Sequence, residues 1–419
     1  MVKNIRKTRA DKRDEEEKRG YFKVDIFGNR EKNKQFYLNY AVFIINGMLA
    51  LSIGSLLPFI RDANGLTYAF CGMIVSLHSV GNLFSSFAAG ALPALIGKKK
   101  SILLFNSFFA IAYLMILFGK SPVMIALAFF MTGLARGATS NFCNASINSL
   151  APGKAWIING LHAMFSVGAF LFPILLTLLT MNDGGRWIYA CYFMLAMGVL
   201  SFSLYALMPT EEKAEAKTDK KEKNFGFLKE PLFYMSIAVL FFYLCAEQGV
   251  IGWMITYFKD TGLLGPTLSQ ITASVLWVMI LLGRLTAAWL STKVKKEKIL
   301  PVMGVGLLVF FFILIVSKST GLILFGIMGF GYSMAGIYPT TVSFTGILIQ
   351  RYKMAWSFIL TSASLGSILM PTIIGKIAET AGIFYGMSSI AVVLVVDMIA
   401  ILTLTRYASK YASDGKDEM

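Results

Sequence analysis

Four charged residues stand inside long apolar stretches of this 419-residue chain: Arg136, Glu247, Arg284 and Asp397. A charge near the centre of a membrane-inserted helix costs about 2.5–3.5 kcal/mol, so it is kept where it faces protein or a water-filled cavity. Guanidinium and carboxylate groups in that setting can bind a polar ligand, carry a proton, or pair with each other. Pairing is the simplest reading for Arg284 and Asp397, whereas Arg136 and Glu247 are candidate cavity residues. Neutral polar residues add a second signal, because residues three, four and seven apart share one side of a helix. His78, Asn82 and Ser85 form one such stripe, Asn141, Asn144 and Asn148 another, and Asn159, His162 and Ser166 a third. Tyr243 lies one turn from Glu247, and Asn46 adds an amide in the first apolar stretch. Stripes of this kind line an aqueous path or hydrogen-bond helix to helix.

Amides and hydroxyls beside aromatic faces suit a neutral polyhydroxylated ligand, since each hydroxyl needs a donor or acceptor in place of water. Tyr243, Trp253, Trp277 and Tyr338 supply candidate faces; Trp289 and Trp356 fall near the ends of apolar stretches and read as interfacial anchors. Nothing points to an enzyme. The two histidines fall in different stretches, and no metal-ligand spacing, phosphate loop or nucleophile motif is present, so no cofactor or metal is expected. Cys71, Cys143, Cys191 and Cys245 stand singly and read as small packing residues.

These residues are carried on long apolar segments. The chain is 56% hydrophobic, above the roughly 45–50% apolar content of soluble domains. Crossing a bilayer as a helix takes about 20 apolar residues. Twelve stretches qualify: 36–60, 68–95, 101–118, 121–147, 155–181, 186–208, 232–258, 267–291, 298–317, 319–348, 352–379 and 383–407. The alternating segments of a β-barrel are missing, so the expected class is an all-α integral membrane protein with twelve transmembrane helices. A net charge of +16 invites a nucleic-acid partner, but its distribution argues otherwise. With the first residues on one side, 31 of the 39 Lys and Arg residues fall in segments on that side, five in segments on the other, and three within helices. That asymmetry is the positive-inside signature. It places both termini in the cytoplasm, in a plasma (inner) membrane, with basic loops near anionic lipid and no nucleic acid bound. Residues 1–35 are highly charged, lack the apolar core of a signal peptide, and read as a cytoplasmic tail.

The chain repeats itself at an offset of 198. SVGAFLFP at 166–173 meets SLGSILMP at 364–371, Ile53-Gly54 meets Ile251-Gly252, Lys98 and Lys100 meet Lys296 and Lys298, Gly133 meets Gly331, and Gly184 meets Gly382. The expected units are a six-helix bundle at 36–208, a cytoplasmic linker at 209–231, a second bundle at 232–407 and a tail at 408–419. Six helices per half makes the repeats parallel, the pattern of major-facilitator transporters, whose site lies between the halves near the midplane. Gly168 and Gly366 allow close backbone approach, and Pro173 and Pro371 free a carbonyl and permit a bend. These four are candidate hinge or gating residues in the fifth and eleventh helices.

The second half resembles one branch of that superfamily. YLCAEQGVIGWMITYF (243–258), LLGRLTAAWL (281–290), IYPTTVSF (337–344) and SFILTSASLGSILMPTIIGKIAETAG (357–382), with NGLHAMFSVGA (159–169) in the first half, are similar to the fucose permease-like sugar:proton symporters. The resemblance covers most of residues 36–400. It implies a monosaccharide substrate driven by a proton gradient. Three positions depart from the family. Its acidic residue before Leu-Leu-Pro in helix one is replaced by Gly54, that of helix four falls near Ala138, and the Asp usual in the loop after helix two is replaced by Ala94. Glu247 then becomes the candidate proton-coupling residue, with His162 second, because a carboxyl group removed from water holds its proton more tightly.

The expected function is a monomeric secondary transporter of a small polar solute, a monosaccharide, with candidate binding residues Asn46, Asn82, Arg136, Asn141, Asn144, Asn159, His162, Tyr243, Trp253, Trp277 and Tyr338. The alternatives are an exporter of amphipathic compounds, which the 34 Phe and 22 Met would suit, an organic-anion carrier using Arg136, and a non-transporting sensor.

Overall fold

The computed structural model describes residues 26–119, 121–152, 154–209, 225–352 and 354–414. The expectations for 1–25, most of the linker (210–224) and 415–419 lie outside the described residues. Twelve helices among them are long and apolar enough to cross a membrane. They are α1 (Arg30–Asn64), α2 (Tyr68–Ala91), α3 (Lys98–Phe118), α4 (Pro122–Leu150), α5 (Ala155–Thr180), α6 (Trp187–Leu207), α7 (Pro231–Thr261), α8 (Pro266–Leu290), α9 (Lys296–Val316), α10 in two segments (Thr320–Met334 and Ile337–Phe344), α11 (Ala355–Ala381) and α12 (Ile383–Asp414). The chain is a multi-pass membrane protein. Large apolar side chains such as Phe84, Phe118, Val123, Leu178, Val302 and Val392 stay exposed, as a lipid-facing surface requires.

Local chemistry sets the helix ends. Asn29 caps α1 by accepting from the Glu31 and Lys32 amides. Pro122, Pro231 and Pro266 begin helices, where a missing N–H costs nothing. Gly65 and Gly262 end α1 and α7 with φ of +59° and +66°, a left-handed turn that glycine takes without strain. The Lys99 ammonium donates to the carbonyls of Tyr205, Ala206 and Met208, closing the C-terminal end of α6.

The twelve helices form two bundles. In the first, α1 packs on α5, α2 on α4, and α3 on α4 and α6; in the second, α7 packs on α11 and α12, α8 on α10, and α9 on α10 and α12. The offset of 198 reappears in space. A side chain at Gly133 would overlap the His78 carbonyl oxygen, and one at Gly331 would press on the Leu276 carbonyl oxygen, 198 residues later in both members. Gly168 lies on the backbone of Ile44 in α1, and Gly366 on that of Phe241 in α7. These two glycines therefore clamp α5 to α1 and α11 to α7 inside each bundle.

The bundles meet through α1 with α7, α2 with α11, and α5 with α8. An even number of spans puts Ile26 and Asp414 on one face, here called the near face. All inter-bundle hydrogen bonds and ion pairs among the described residues lie between mid-helix and the far face. Gln270 donates to the Ser55 carbonyl at 3.1 Å, Ser274 to the Phe170 carbonyl at 2.9 Å, and the Ser76 and Thr372 hydroxyls lie 2.7 Å apart. At the far tips, Arg61 of α1 pairs with Asp260 of α7, and Lys259 of α7 pairs with Asp62 of α1. The two pairs are one exchange, since Arg61-Asp62 and Lys259-Asp260 stand 198 residues apart. Tyr68 Oη donates to Asp260 at 2.7 Å, and Glu379 of α11 accepts the Tyr68 amide at the start of α2. Near-face polar residues Asn141, Asn148, Asn159 and His162 are exposed.

The charge exchange predicts that the double substitution Asp62→Asn with Asp260→Asn loosens the far-face seal without unfolding either bundle. Partly buried pairs contribute about 1–3 kcal/mol. A cysteine placed at Ser76, in a chain lacking its native cysteines, should then react with a water-soluble thiol reagent roughly 10-fold faster. An unchanged rate would show that apolar and backbone contacts hold the seal alone.

Candidate functional site

Where the bundles meet at mid-helix, a cavity of about 20 Å³ is enclosed between α1, α2, α4, α7 and α8. That is room for about one water. Its polar lining is His78, Arg136, Gln248 and Trp277, and its roof includes the equivalent glycines Gly54 and Gly252. A side chain at Gly54 would overlap the Ile251 carbonyl oxygen of α7. Gly54 is thus a point of close backbone approach between the halves, as Gly72 is against Pro371. A carboxylate does not fit there in this conformation.

The polar residues of the cavity differ in how well they are satisfied. His78 Nδ1 shares a hydrogen bond of 2.8 Å with Thr132 Oγ1, which itself donates to the Phe129 carbonyl. Trp277 is buried, and its indole N–H has no hydrogen-bond partner; the same holds for Arg136 Nε–H. Glu247 sits on α7 beside the cavity residue Gln248, half-buried, and accepts a hydrogen bond of 3.1 Å from Tyr243 Oη. It lies within electrostatic reach of Arg284 and Arg136, yet among the described residues neither comes within 4 Å of it as an ion pair. Tyr338 completes this group, its ring 6.3 Å from that of Tyr243. His162 of α5 approaches from the other bundle, exposed, within electrostatic reach of Arg284 and 5.7 Å from the Phe43 ring.

Several residues picked out from the sequence are brought together here: Arg136, Glu247, Tyr243, Tyr338, Trp277 and His162. His78 and Gln248 join them. In the sequence His78 stands only as part of a stripe, and Gln248 carries no signal, because an amide beside a glutamate has no periodicity of its own. Trp253 is placed elsewhere. It is fully buried, donates to the Pro371 carbonyl at 3.1 Å, and packs 6.1 Å from the Tyr68 ring. Its indole joins α7 to α11 and offers no face to the cavity. Pro371 sits at the bundle interface, where a side chain on Gly72 of α2 would overlap its carbonyl. Pro173 leaves its carbonyl to Thr177 Oγ1 at 2.8 Å.

The asparagine stripes divide. Asn141 and Asn144 donate back to the Gly137 and Ser140 carbonyls of their own helix and bridge no neighbour among the described residues. Asn159 is exposed near the start of α5, and Asn82 lies at the α2–α4 contact, with its Oδ1 close to Gly137. Asn46 instead donates to Ser140 across the α1–α4 contact at 3.0 Å. Asn106 binds Thr139 and Ser201, tying α3 to α4 and α6, and Asn39 binds Ser146. One expectation is corrected. Arg284 and Asp397 form no pair, and Asp397 is 1% exposed with both carboxylate oxygens lacking a hydrogen-bond partner. Its electrostatic neighbour is Cys245, on a different side of α7 from Glu247.

The helix order and the cavity between two matching bundles agree with what the chain is similar to. The family described as the Major Facilitator Superfamily matches residues 40–347. The glucose/mannose transporter GlcP of Bacillus subtilis (strain 168) is 24% identical over 385 residues, covering 86% of this chain and 92% of GlcP. A TsgA homologue from Serratia proteamaculans (strain 568) is 21% identical over 388 residues, covering 90% and 96%. Among solved structures, a D-xylose–proton symporter superposes with a TM-score of 0.73 at 13% identity, covering 88% of this chain and 96% of that one.

The division of the asparagines predicts different costs. Asn106→Ala should lower stability by about 1–2 kcal/mol through lost interhelical hydrogen bonds, and Asn141→Ala by less than about 0.5 kcal/mol. Thermal unfolding in detergent reads both; equal losses would contradict the assignment. With two matching six-helix bundles, a polar cavity where they meet and a family match over most of its length, the chain belongs to the Major Facilitator Superfamily of membrane transporters.

Proposed function

We propose that the chain is a secondary transporter that moves a monosaccharide across the plasma membrane by alternating access, with proton coupling through Glu247. The carrying observation is the polar cavity at the bundle interface, ringed by Arg136, His78, Gln248 and Trp277, with the Tyr243–Glu247 hydrogen bond beside it. Solute hydroxyls need the donors and acceptors gathered there, and Tyr243, Tyr338 and Trp277 supply the ring faces. A relative of this chain is named a glucose/mannose transporter, and a structure of the same fold is named a D-xylose–proton symporter. An exporter of amphipathic compounds would have no use for the charge and hydrogen-bond donors that Arg136, His78, Gln248 and Trp277 bring to this otherwise apolar lining.

Glu247 suits the coupling role by position. It faces both arginines without being locked to either, so a proton on it changes the field that each feels. The near-face openness and far-face seal correspond to a state open to the cytoplasm when both termini are cytoplasmic, as the basic-residue asymmetry argues. The protein acts as a monomer, each chain holding one complete site.

Purified protein in liposomes should take up radiolabelled hexoses or pentoses and accumulate them down an imposed proton gradient. Glu247→Gln should abolish gradient-driven accumulation while keeping solute exchange, since an amide occupies the same space but cannot cycle a proton. Full accumulation by that variant would place the proton elsewhere. Failure of folded wild-type protein to move any sugar, with transport of nucleosides or drugs instead, would contradict the monosaccharide reading.

A further inference from the structure

The charges around the cavity do not balance. Arg136 and Arg284 are both cations, Glu247 lies within electrostatic reach of both, and among the described residues it is the acid that acts on Arg136. Asp397 does not serve them, since its electrostatic neighbour is Cys245. Arg136 lines the cavity with its Nε–H unpartnered, and Trp277 lines it with a buried, unpartnered indole N–H. Donors shielded from water and left without acceptors are costly. His78 offers no negative charge, and Gln248 none. The cavity is also small. A space of about 20 Å³, room for about one water, matches one carboxylate oxygen rather than a sugar ring in this conformation.

We propose that the transported monosaccharide is a sugar acid, a hexuronate or aldonate, whose carboxylate enters the cavity and accepts from Arg136 and Trp277 while its hydroxyls remain on the near-face side with Tyr243, Tyr338 and His162. This rests on the monosaccharide reading above. A monoanion supplies the acceptors that the two N–H groups lack. While Glu247 is ionised, it also brings the group of Arg136, Arg284 and Glu247 from a net charge of +1 to zero, and once Glu247 takes its proton the solute is the remaining counter-charge. Arginine presents several donors in a fixed fork, the geometry that a carboxylate matches.

The test is binding to the purified full-length protein, read by thermal shift and titration calorimetry. The ligands are D-galacturonate, D-glucuronate and D-gluconate against D-galactose, D-glucose and D-xylose. The acids should bind roughly 10-fold or more tightly than their neutral counterparts, the difference expected of a charge-assisted hydrogen bond. Arg136→Gln should erase that preference, weakening acid binding roughly 10-fold more than it weakens aldose binding. Trp277→Phe, which keeps the ring but lacks the N–H, should weaken acid binding several-fold and serves if the arginine variant does not fold. Aldoses binding as tightly as the acids would overturn the carboxylate proposal and leave the monosaccharide reading standing. Folded protein that binds neither set would overturn both.

Discussion

A polar or charged group held in the interior of a membrane-embedded bundle must find its partner within the protein, because hydrocarbon offers none. That constraint organises this molecule. Backbone groups meet it by forming helices. The amide N–H groups of Asn39, Asn46 and Asn106 meet it by reaching hydroxyls on neighbouring helices, and Lys99 by taking three carbonyls at a helix end. Arg136 Nε–H and the Trp277 N–H do not meet it, and both line a cavity where the bundles meet. Asp397 also keeps unpartnered oxygens, but in packed interior; only an unmet donor that lines a cavity leaves space for an acceptor from outside the chain.

The duplication explains how a site of this kind is built and sealed. Two copies of a six-helix unit, facing each other across an axis normal to the membrane, bring equivalent residues to the interface twice. Gly54 and Gly252 form the roof of the cavity, and the Arg61-Asp62 and Lys259-Asp260 tips exchange partners over it. Backbone-on-backbone contact at Gly54 and Gly72 brings the bundles as close as helices can come. The far-face seal therefore combines tight apolar packing, which resists partial opening, with ion pairs that water can replace when the bundles part.

Much of this was legible in the sequence. The twelve spans, the two halves and the offset between them followed from hydropathy and from matching Gly, Pro and Lys positions. Periodicity also found Tyr243 and Glu247 together. It could not tell a stripe that faces water from one that bonds to its own helix. Asn141 and Asn144 look identical to bridging asparagines until their acceptors are seen at Gly137 and Ser140. Isolated residues such as Asn106 carried no pattern, although they tie three helices. Charge counting suggested that Arg284 and Asp397 would pair, yet pairing depends on helix rotation, and Asp397 faces the α7 surface near Cys245. The far-tip quartet was also written in the repeat; its role appears only when α1 is set beside α7.

The account turns on two bundles exchanging access to one shared site. Spin labels on Ala63 and Thr380 report the far face, and labels on Asn148 and Ser343 the near face; pulsed electron resonance measures both separations in the same lipid. Adding the transported solute at low pH should lengthen the far-face distance and shorten the near-face one together. Two distances that stay fixed, or that lengthen in parallel, would contradict a rocking pair of bundles around a central cavity.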